Sequence, residues 1–325
     1  MSPIKNDLTH LPSPAKTRSE GLAPDPTPRF APLLAEHWRE EELRKGDFAR
    51  AHTDTRFRHS DAGNCARAIS YAALDIEGSD PMDLSGYWNT GLGSRVHDLF
   101  QGVLSIRFGS QAVIEQQVRT VGADGSGHID AVVRVPVGDT PDTGSKVVAV
   151  ELKTVGGYAY KMAVGERGAA QGPKADHILQ AALNAAAVDA DEAVIVYLAK
   201  EAISVNVAAR KGFDEITRFA AEWTLTREQY EPLATAEAER ITGILALVDE
   251  GTLPLRRFPS AELPTGHEIV DPGTGRWEVH GKEGEVLDTG TFWACGYCRW
   301  QTLCAQVGAG RVPVETVVEL TKAVA

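Results

Sequence analysis

The sequence predicts an α/β fold in which a central mixed sheet is flanked by helices. Residues Trp88 to Phe108 show the 3.6-residue apolar spacing of an amphipathic helix. The period then changes to two, and three valine-containing runs follow: Gln111 to Val121, Ile129 to Val137 and Val147 to Lys153. Turns rich in Gly and Asp separate these runs. Three consecutive strands with short connections predict a meander at the centre of the sheet.

The second half of the chain alternates between the two periods. Helical spacing returns over Lys174 to Val188, and two strands are predicted at Glu192 to Ala199 and Ile203 to Ala209. A long helix is predicted over Thr226 to Glu250. The stretch from Pro254 to Gly290 is dense in Gly and Pro and is predicted to be irregular.

Length and composition predict one enlarged domain with short extensions. The 325 residues include six of the 17 prolines within residues 1–30, which predicts a disordered leader. The domain is expected over residues 31–310 and a C-terminal tail over 311–325. No signal pattern and no long apolar segment occurs, so a cytoplasmic protein without a membrane span is expected.

The chain is acidic, with a formal net charge of −12. This balance argues against indiscriminate binding of polyanions. It does not exclude nucleic acid, because carboxylates that bind a divalent cation add negative charge of their own.

A candidate catalytic site lies on two of the predicted strands. Asp130 and Glu151 are on adjacent strands, each flanked by valines, so their carboxylates are expected to converge at one strand end. Lys153 shares a face with Glu151 because side chains alternate along a strand. Leu152 points the other way, but its carbonyl remains available to a metal. Carboxylates suit Mg²⁺ or Mn²⁺, and a lysine beside them can orient water and balance negative charge during phosphodiester hydrolysis.

The four cysteines form a three-plus-one set: Cys65 stands alone, and Cys295, Cys298 and Cys304 follow late in the chain. Four thiolates suit either Zn²⁺ or a [4Fe–4S] cluster. Zinc sites commonly pair two short knuckles, so this spacing favours the cluster, with a structural role that ties the two ends of the domain together. Nearby aromatic residues are expected to shield it, namely Phe292, Trp293, Tyr297 and Trp300.

These motifs together resemble a known family. Asp130 followed by Glu151-Leu152-Lys153-Thr154 resembles the core of PD-(D/E)xK nucleases. The Gly93-x3-His97 helix resembles a motif of the RecB-like branch. The cysteine arrangement is similar to that of the RecB-like exonucleases called CRISPR-associated protein four and of AddB-type nuclease domains. The resemblance covers roughly Asp61 to Cys304.

The resemblance implies a restriction-endonuclease-like core with an iron–sulfur cap formed by the Cys65 region and residues 290–305. It implies that Lys153 is the catalytic lysine. The family also carries a Gln-x3-Tyr motif on the next helix, which Gln180 matches, whereas Asn184 stands where the tyrosine is expected. The implied Mg²⁺ or Mn²⁺ ligands are His97, Asp130, Glu151 and the carbonyl of Leu152.

The implied function is a metal-dependent DNA exonuclease that acts on single strands or free ends, with a 5′ preference taken from the family. Tyr71, Tyr158 and Tyr160 are candidates for stacking with bases. Phage DNA metabolism, recombination or repair, and CRISPR adaptation all remain open as settings, as does assembly into a homo-oligomer or with a DNA-processing partner. Three alternatives remain: an endonuclease that uses the same site, a non-catalytic or partner-dependent iron–sulfur DNA-binding subunit, and a redox sensor.

Overall fold

The computed structural model describes most of the chain between residues 55 and 324. The described ranges are 55–137, 144–254, 268–270, 276–291, 295–307 and 311–324, with residues 36, 37, 39–41, 43 and 44. The residues described between 36 and 44 are helical. The predicted disordered leader, residues 1–30, lies outside these ranges.

A six-stranded mixed sheet forms the centre of the fold. Its strands are β1 (Phe57–Arg58), β2 (Ala112–Arg119), β3 (Gly125–Pro136), β4 (Ser145–Val155), β5 (Glu192–Ala199) and β6 (Ala220–Thr226). The spatial order is β1-β3-β4-β5-β6, and β2 also pairs with β3. The β1–β3 and β4–β5 pairs are parallel and the others antiparallel. The predicted meander of β2, β3 and β4 is therefore confirmed.

Helices cover both faces of this sheet. In chain order they are α1 (Ala66–Ala73), α2 (Leu84–Phe108), α3 (Gly157–Ala163), α4 (Ala175–Ala187), α5 (Val205–Lys211) and α6 (Arg227–Asp249). Helix α2 packs its apolar side on one face of the sheet. Helices α4 and α6 contribute to the core on the opposite face. The protein is thus a mixed α/β fold with a central sheet between helices, as its sequence predicts.

Local signals explain where the main helices begin. The Asp83 side chain accepts a hydrogen bond from Gly86 N at 2.7 Å and so caps α2. Thr226 and Gln229 form a capping box at the start of α6. The predicted helix over Lys174 to Val188 and the predicted strand Glu192 to Ala199 correspond to α4 and β5.

Two predictions about the second half of the chain are wrong. The predicted strand at Ile203 to Ala209 is mostly helix α5, because Val205 and Val207 imitate strand alternation while Gly212, at φ 69°, supplies a left-handed helix end. The strand β6 was not predicted. The stretch expected to be irregular contains a three-stranded antiparallel sheet made of β8 (Glu268–Val270), β9 (Arg276–His280) and β10 (Val286–Thr291).

The C-terminal segment packs against the region around α1. Strands β7 (Thr252–Leu253) and β11 (Val312–Pro313) pair. Helix α7 (Gln301–Val307) contains the last cysteine, Cys304, and helix α8 (Val314–Val324) follows β11. Tyr71 of α1 shares an apolar cluster with Trp300 and with Val317 of α8. Trp300 Nε1 also donates to the carbonyl of Ile76 at 2.9 Å. The part of residues 290–305 that is described therefore lies against the Cys65 region, and the C-terminal tail packs on the body.

Among the described residues, no helix combines the length and the apolar composition that a bilayer crossing requires.

Candidate functional site

The candidate site lies where two neighbouring strands separate. The antiparallel ladder between β3 and β4 ends at the pair Ala131 and Val150. Asp130 and Glu151 are the next residues in that register, beyond the last pair. Strand β4 nevertheless continues, because its other edge stays paired with β5 as far as Val155. The two carboxylates therefore stand at a fork in the sheet, which we call the β3–β4 fork.

Strand β3 changes the face that it presents at this fork. Ile129 packs in the core on the α4 side, whereas Ala131 packs in the core on the α2 side. Regular alternation would put both residues on one face. Glu115, which lies opposite Asp130 in the register of β2, has a positive φ of 50°. A non-glycine residue in this conformation costs about 1–3 kcal/mol, and such strain clusters at functional sites.

The carboxylate of Asp130 is held by partners from two elements. His97 of α2 donates from Nδ1 to Asp130 Oδ1 at 3.0 Å, and Leu152 N donates to Asp130 Oδ2 at 2.7 Å. Burial opposes the charged imidazole, but the hydrogen bond and the charge of Asp130 outweigh it and raise the pKa of His97. Helix α2 can approach β4 closely here because a Cβ on Gly93 would lie only 3.1 Å from Thr154 Oγ1.

Glu151 is buried, with 3% of the residue exposed, and its two oxygens have different partners. Lys153 Nζ lies 2.8 Å from Oε1, and Asn184 Nδ2 donates to Oε2 at 2.8 Å. Gln180 Oε1 accepts from the same Lys153 amine at 2.8 Å. Burial raises the pKa of Glu151, the Lys153 charge opposes that shift, and the nearby Asp130 carboxylate adds to it. At the fork, the side chains of four residues therefore interact with one another: Asp130, Glu151, Lys153 and Gln180.

Leu152 behaves as strand alternation requires. Its side chain is fully buried in the core on the α2 side, while Glu151 and Lys153 face α4. The predicted opposite orientation of Leu152 is thus found.

Sequence reasoning missed His177, which lies on α4 one turn before Gln180. The hydroxyl of Tyr197 accepts from Lys174 N at 2.9 Å and lies 2.7 Å from His177 Nδ1. Burial and the neighbouring charge of Lys153 lower the pKa of His177 to about 4. The signal in the sequence that could have indicated His177 is its spacing of three residues from Gln180.

His177 leads to a testable pH dependence. Because its pKa is lower in the folded protein than in the unfolded chain, the unfolded state binds more protons between pH 6.5 and about 4. The free energy of unfolding will therefore fall as the pH decreases through this window. Urea denaturation at several pH values will show a shallower decline in His177→Gln than in the wild type. Identical slopes for both proteins, or an NMR titration of His177 near 6.5, would contradict the assignment.

The donor set at the fork fits a hard divalent cation. Two carboxylates, an imidazole and a backbone carbonyl are ligands that Mg²⁺ and Mn²⁺ accept. Burial, and to a smaller extent the Asp130 carboxylate, raises the pKa of Glu151, and the charge of a bound cation would oppose this shift. Across the described ranges, no group of three or more His, Cys, Asp and Glu side chains is already arranged to hold a metal ion. At the fork these side chains are paired with protein partners instead.

The cysteines lie at the junction between α1 and the C-terminal segment. Cys65 precedes α1, Cys295 and Cys298 share one turn, and Cys304 is in α7; none of the four is in a disulfide. Burial raises the pKa of Cys298, and the neighbouring thiols of Cys304 and Cys65 raise it further. At least these three thiols are therefore neighbours in space, although more than 200 residues of sequence separate Cys65 from the other two.

Some aromatic residues do not have the predicted roles. Tyr71 and Tyr160 are fully buried, so the prediction that they stack with bases is wrong. Tyr297 is 88% exposed and does not shield the cysteines, whereas Trp300 is buried and contacts Tyr71 at 5.8 Å between ring centroids. Phe292 and Trp293 lie outside the described ranges. Tyr158, at the start of α3, is 66% exposed.

No protein-family model matches this sequence, and no curated protein sequence matches it. Among solved structures, one described as the crystal structure of SSO0001 is 16% identical, covers 84% of this chain and 94% of its own, and gives a TM-score of 0.43. LHK-Exo in complex with dAMP is 12% identical and covers 60% of this chain and 88% of its own, with a TM-score of 0.38. The alkaline exonuclease LHK-Exo from Laribacter hongkongensis is 11% identical, with coverages of 59% and 91% and a TM-score of 0.36. At such values the geometry of the fork, and not the similarity, carries the functional interpretation.

Proposed function

We propose that this protein is a metal-dependent nuclease of the PD-(D/E)xK type that hydrolyses phosphodiester bonds in DNA. The observation that carries the proposal is the β3–β4 fork. There two carboxylates just beyond the last β3–β4 pair lie beside a lysine that is 2.8 Å from Glu151 and 2.8 Å from Gln180. Such a combination is suited to charge stabilisation on a phosphate and not to folding stability alone.

Each residue at the fork has a distinct task in this reaction. His97, Asp130, Glu151 and the Leu152 carbonyl would hold Mg²⁺ or Mn²⁺, which would supply Lewis acidity and a more acidic water. Lys153 places a positive charge where the phosphate and the attacking water meet, and Gln180 fixes the direction of its amine. His97 and the backbone N–H of Leu152 orient the Asp130 carboxylate.

The exposed residues beyond β4 are suited to a single strand. Tyr158 follows β4 directly in α3, and the guanidinium of Arg167 lies 5.3 Å from the centre of its ring. An aromatic ring stacks on a base and a guanidinium contacts a phosphate, so this pair fits single-stranded DNA that leads to the fork. We extend the proposal to single strands or free ends, with a 5′ preference carried over from the resembled family.

Tyr158 gives a direct test of this contact. Tyr158→Ala will weaken binding of single-stranded DNA by about 1–3 kcal/mol, because one stacking contact is lost. Tyr158→Phe keeps the ring and will bind as the wild type does. Fluorescence anisotropy with a labelled oligonucleotide, measured in Ca²⁺ to prevent cleavage, will separate the two variants. If all three proteins bind the oligonucleotide with equal affinity, Tyr158 does not contact the DNA.

We also propose that Cys65, Cys295, Cys298 and Cys304 hold a [4Fe–4S] cluster with a structural role. The proximity of Cys65, Cys298 and Cys304 supports this proposal. Arg67 also supports the cluster proposal. This residue is fully buried, and its guanidinium donates to Pro254 O at 2.8 Å and interacts electrostatically with Tyr71, which lies beside Cys304. A buried positive charge that interacts with Tyr71, a neighbour of Cys304, complements a negatively charged cluster.

The nuclease proposal is tested by digestion of single-stranded DNA labelled at either end, together with a circular single strand. The wild type is expected to degrade the linear strands with Mn²⁺ or Mg²⁺ but not with EDTA. Early release of 5′ label would indicate 5′ polarity, and resistance of the circle would indicate an exonuclease. Absence of metal-dependent cleavage of every substrate by folded protein would overturn the proposal.

A further inference from the structure

Strand β3 has a gap along the edge that faces β1 and β4. Strand β2 occupies its other edge, since Ser126 pairs with β2 and β1 at once. On the shared edge, β1 reaches residues 125 and 126, and β4 begins at Ala131. Residues 127–130 therefore have no strand partner on this edge among the described strands. Backbone groups in such a gap need side-chain partners when they are buried.

A chain of buried polar side chains fills this gap and ends on Glu151. Asn184 Nδ2 donates to Glu151 Oε2 at 2.8 Å and lies 3.4 Å from the carbonyl of His128. Asn184 Oδ1 lies 2.6 Å from His59 Nδ1, and His59 Nε2 lies 2.7 Å from Thr120 Oγ1. His59, Asn184 and Glu151 are each at most 3% exposed.

The partners determine the direction of every hydrogen bond in this chain. The carbonyl of His128 and Oε2 of Glu151 both accept from the amide nitrogen of Asn184, so the amide oxygen faces His59. His59 must then donate from Nδ1, which leaves Nε2 to accept the proton of the Thr120 hydroxyl. Burial lowers the pKa of His59 and keeps the ring neutral, as this arrangement requires. All three bonds therefore donate toward the Glu151 carboxylate, and bonds aligned in this way strengthen one another.

Gly127 provides the space that the chain occupies. A Cβ at this position would lie 2.3 Å from His59 Nδ1 and 2.8 Å from Asn184 Oδ1. Both distances are far shorter than a van der Waals contact. The residue before His128 therefore has to lack a side chain for His59 and Asn184 to reach the fork.

We propose that Thr120, His59 and Asn184 are positioning residues that fix the Glu151 carboxylate for cation binding at the fork. Without His59, the Asn184 amide could turn and present its oxygen to Glu151. With His59, the amide nitrogen always faces the carboxylate, which holds Glu151 in one orientation. The inference rests on the proposed nuclease function and extends it to the residues that support one metal ligand. Outer-shell partners of this kind change metal affinity by about 10- to 100-fold.

The test is the affinity of the protein for Mn²⁺, followed by electron paramagnetic resonance without DNA. Asn184→Leu is expected to weaken Mn²⁺ binding about 10- to 100-fold. Thr120→Val, at the far end of the chain, is expected to weaken it about two- to tenfold, the equivalent of one hydrogen bond. Thr120→Ser keeps the donor and is expected to restore wild-type affinity. Thr242→Val, which removes a hydroxyl that bonds only backbone carbonyls of Gly122 and Ala238, is the matched control.

The outcomes distinguish this inference from the proposed function. If the wild type binds Mn²⁺ and cleaves DNA but folded Asn184→Leu and Thr120→Val bind Mn²⁺ with wild-type affinity, the positioning role is wrong and the nuclease proposal stands. If Asn184→Leu does not fold, the comparison of Thr120→Val with Thr120→Ser decides. If the wild type neither binds Mn²⁺ nor cleaves DNA, the proposed function fails and this inference fails with it.

Discussion

Replacing Lys153 by methionine will lower the rate of DNA cleavage by about 10²- to 10³-fold and will destabilise the metal-free protein by about 3–5 kcal/mol. Catalysis falls because the positive charge next to the scissile phosphate is lost. Stability falls because Glu151, which is buried, loses the amine 2.8 Å away and keeps an uncompensated charge near Asp130. Single-turnover kinetics and urea denaturation in EDTA will measure the two effects.

Lys146→Met is the matched control for Lys153→Met. Lys146 also pairs with a glutamate, at 2.6 Å from Glu192 Oε1, but its side chain is 48% exposed. Solvent screens such a pair, so both the cleavage rate and the stability of this variant will stay close to those of the wild type. If the Lys153→Met protein cleaves DNA at the wild-type rate, Lys153 does not take part in the reaction.

Replacing Cys298 by alanine will abolish the brown colour of anaerobically purified protein and will lower its stability before any direct effect on chemistry. The physical reason is the length of chain that the four thiolates would close, from Cys65 to Cys304. In the chain-entropy description, closing a loop of 100 residues contributes about 5 kcal/mol. Absorption spectra, iron analysis and thermal denaturation will measure the change.

Tyr297→Ala is the control for Cys298→Ala. Tyr297 is the neighbouring residue and is 88% exposed, so its loss will leave colour and stability unchanged. A colourless wild type that contains stoichiometric zinc after anaerobic preparation would contradict the cluster.

Much of the sheet could be predicted from sequence because its signals are local. Helix α2 and strands β2 to β4 follow the change from a period of 3.6 to a period of two. The orientation of Leu152 against Glu151 and Lys153 also follows from alternation alone. Helix α5 did not follow, since a short segment with valines at alternate positions suits either structure until packing decides. Strand β6 contains no valine and was not predicted.

The details of the fork could not be predicted, because they depend on contacts between distant residues. Regular alternation along β3 would place Ile129 and Ala131 on one face of the sheet, but they pack on opposite faces. Nothing in the sequence indicates this change of face at Asp130. In the sequence, Asn184 is only a departure from the family motif. Its role depends on a hydrogen bond to His59, which is 125 residues away in the chain. Burial of Tyr71 and Tyr160 likewise depends on tertiary packing.

The assignment of the active site to the β3–β4 fork is tested most directly by the cleavage of end-labelled single-stranded DNA by the wild type and by Asp130→Asn in Mn²⁺. Asparagine keeps an oxygen that can accept from Leu152 N, so the variant is expected to fold. Asp124→Asn, in a surface pair with Arg56 at 3.2 Å, is the control. We expect metal-dependent cleavage by the wild type and by Asp124→Asn, and none by Asp130→Asn. Cleavage by Asp130→Asn at the wild-type rate would show that the β3–β4 fork is not the active site.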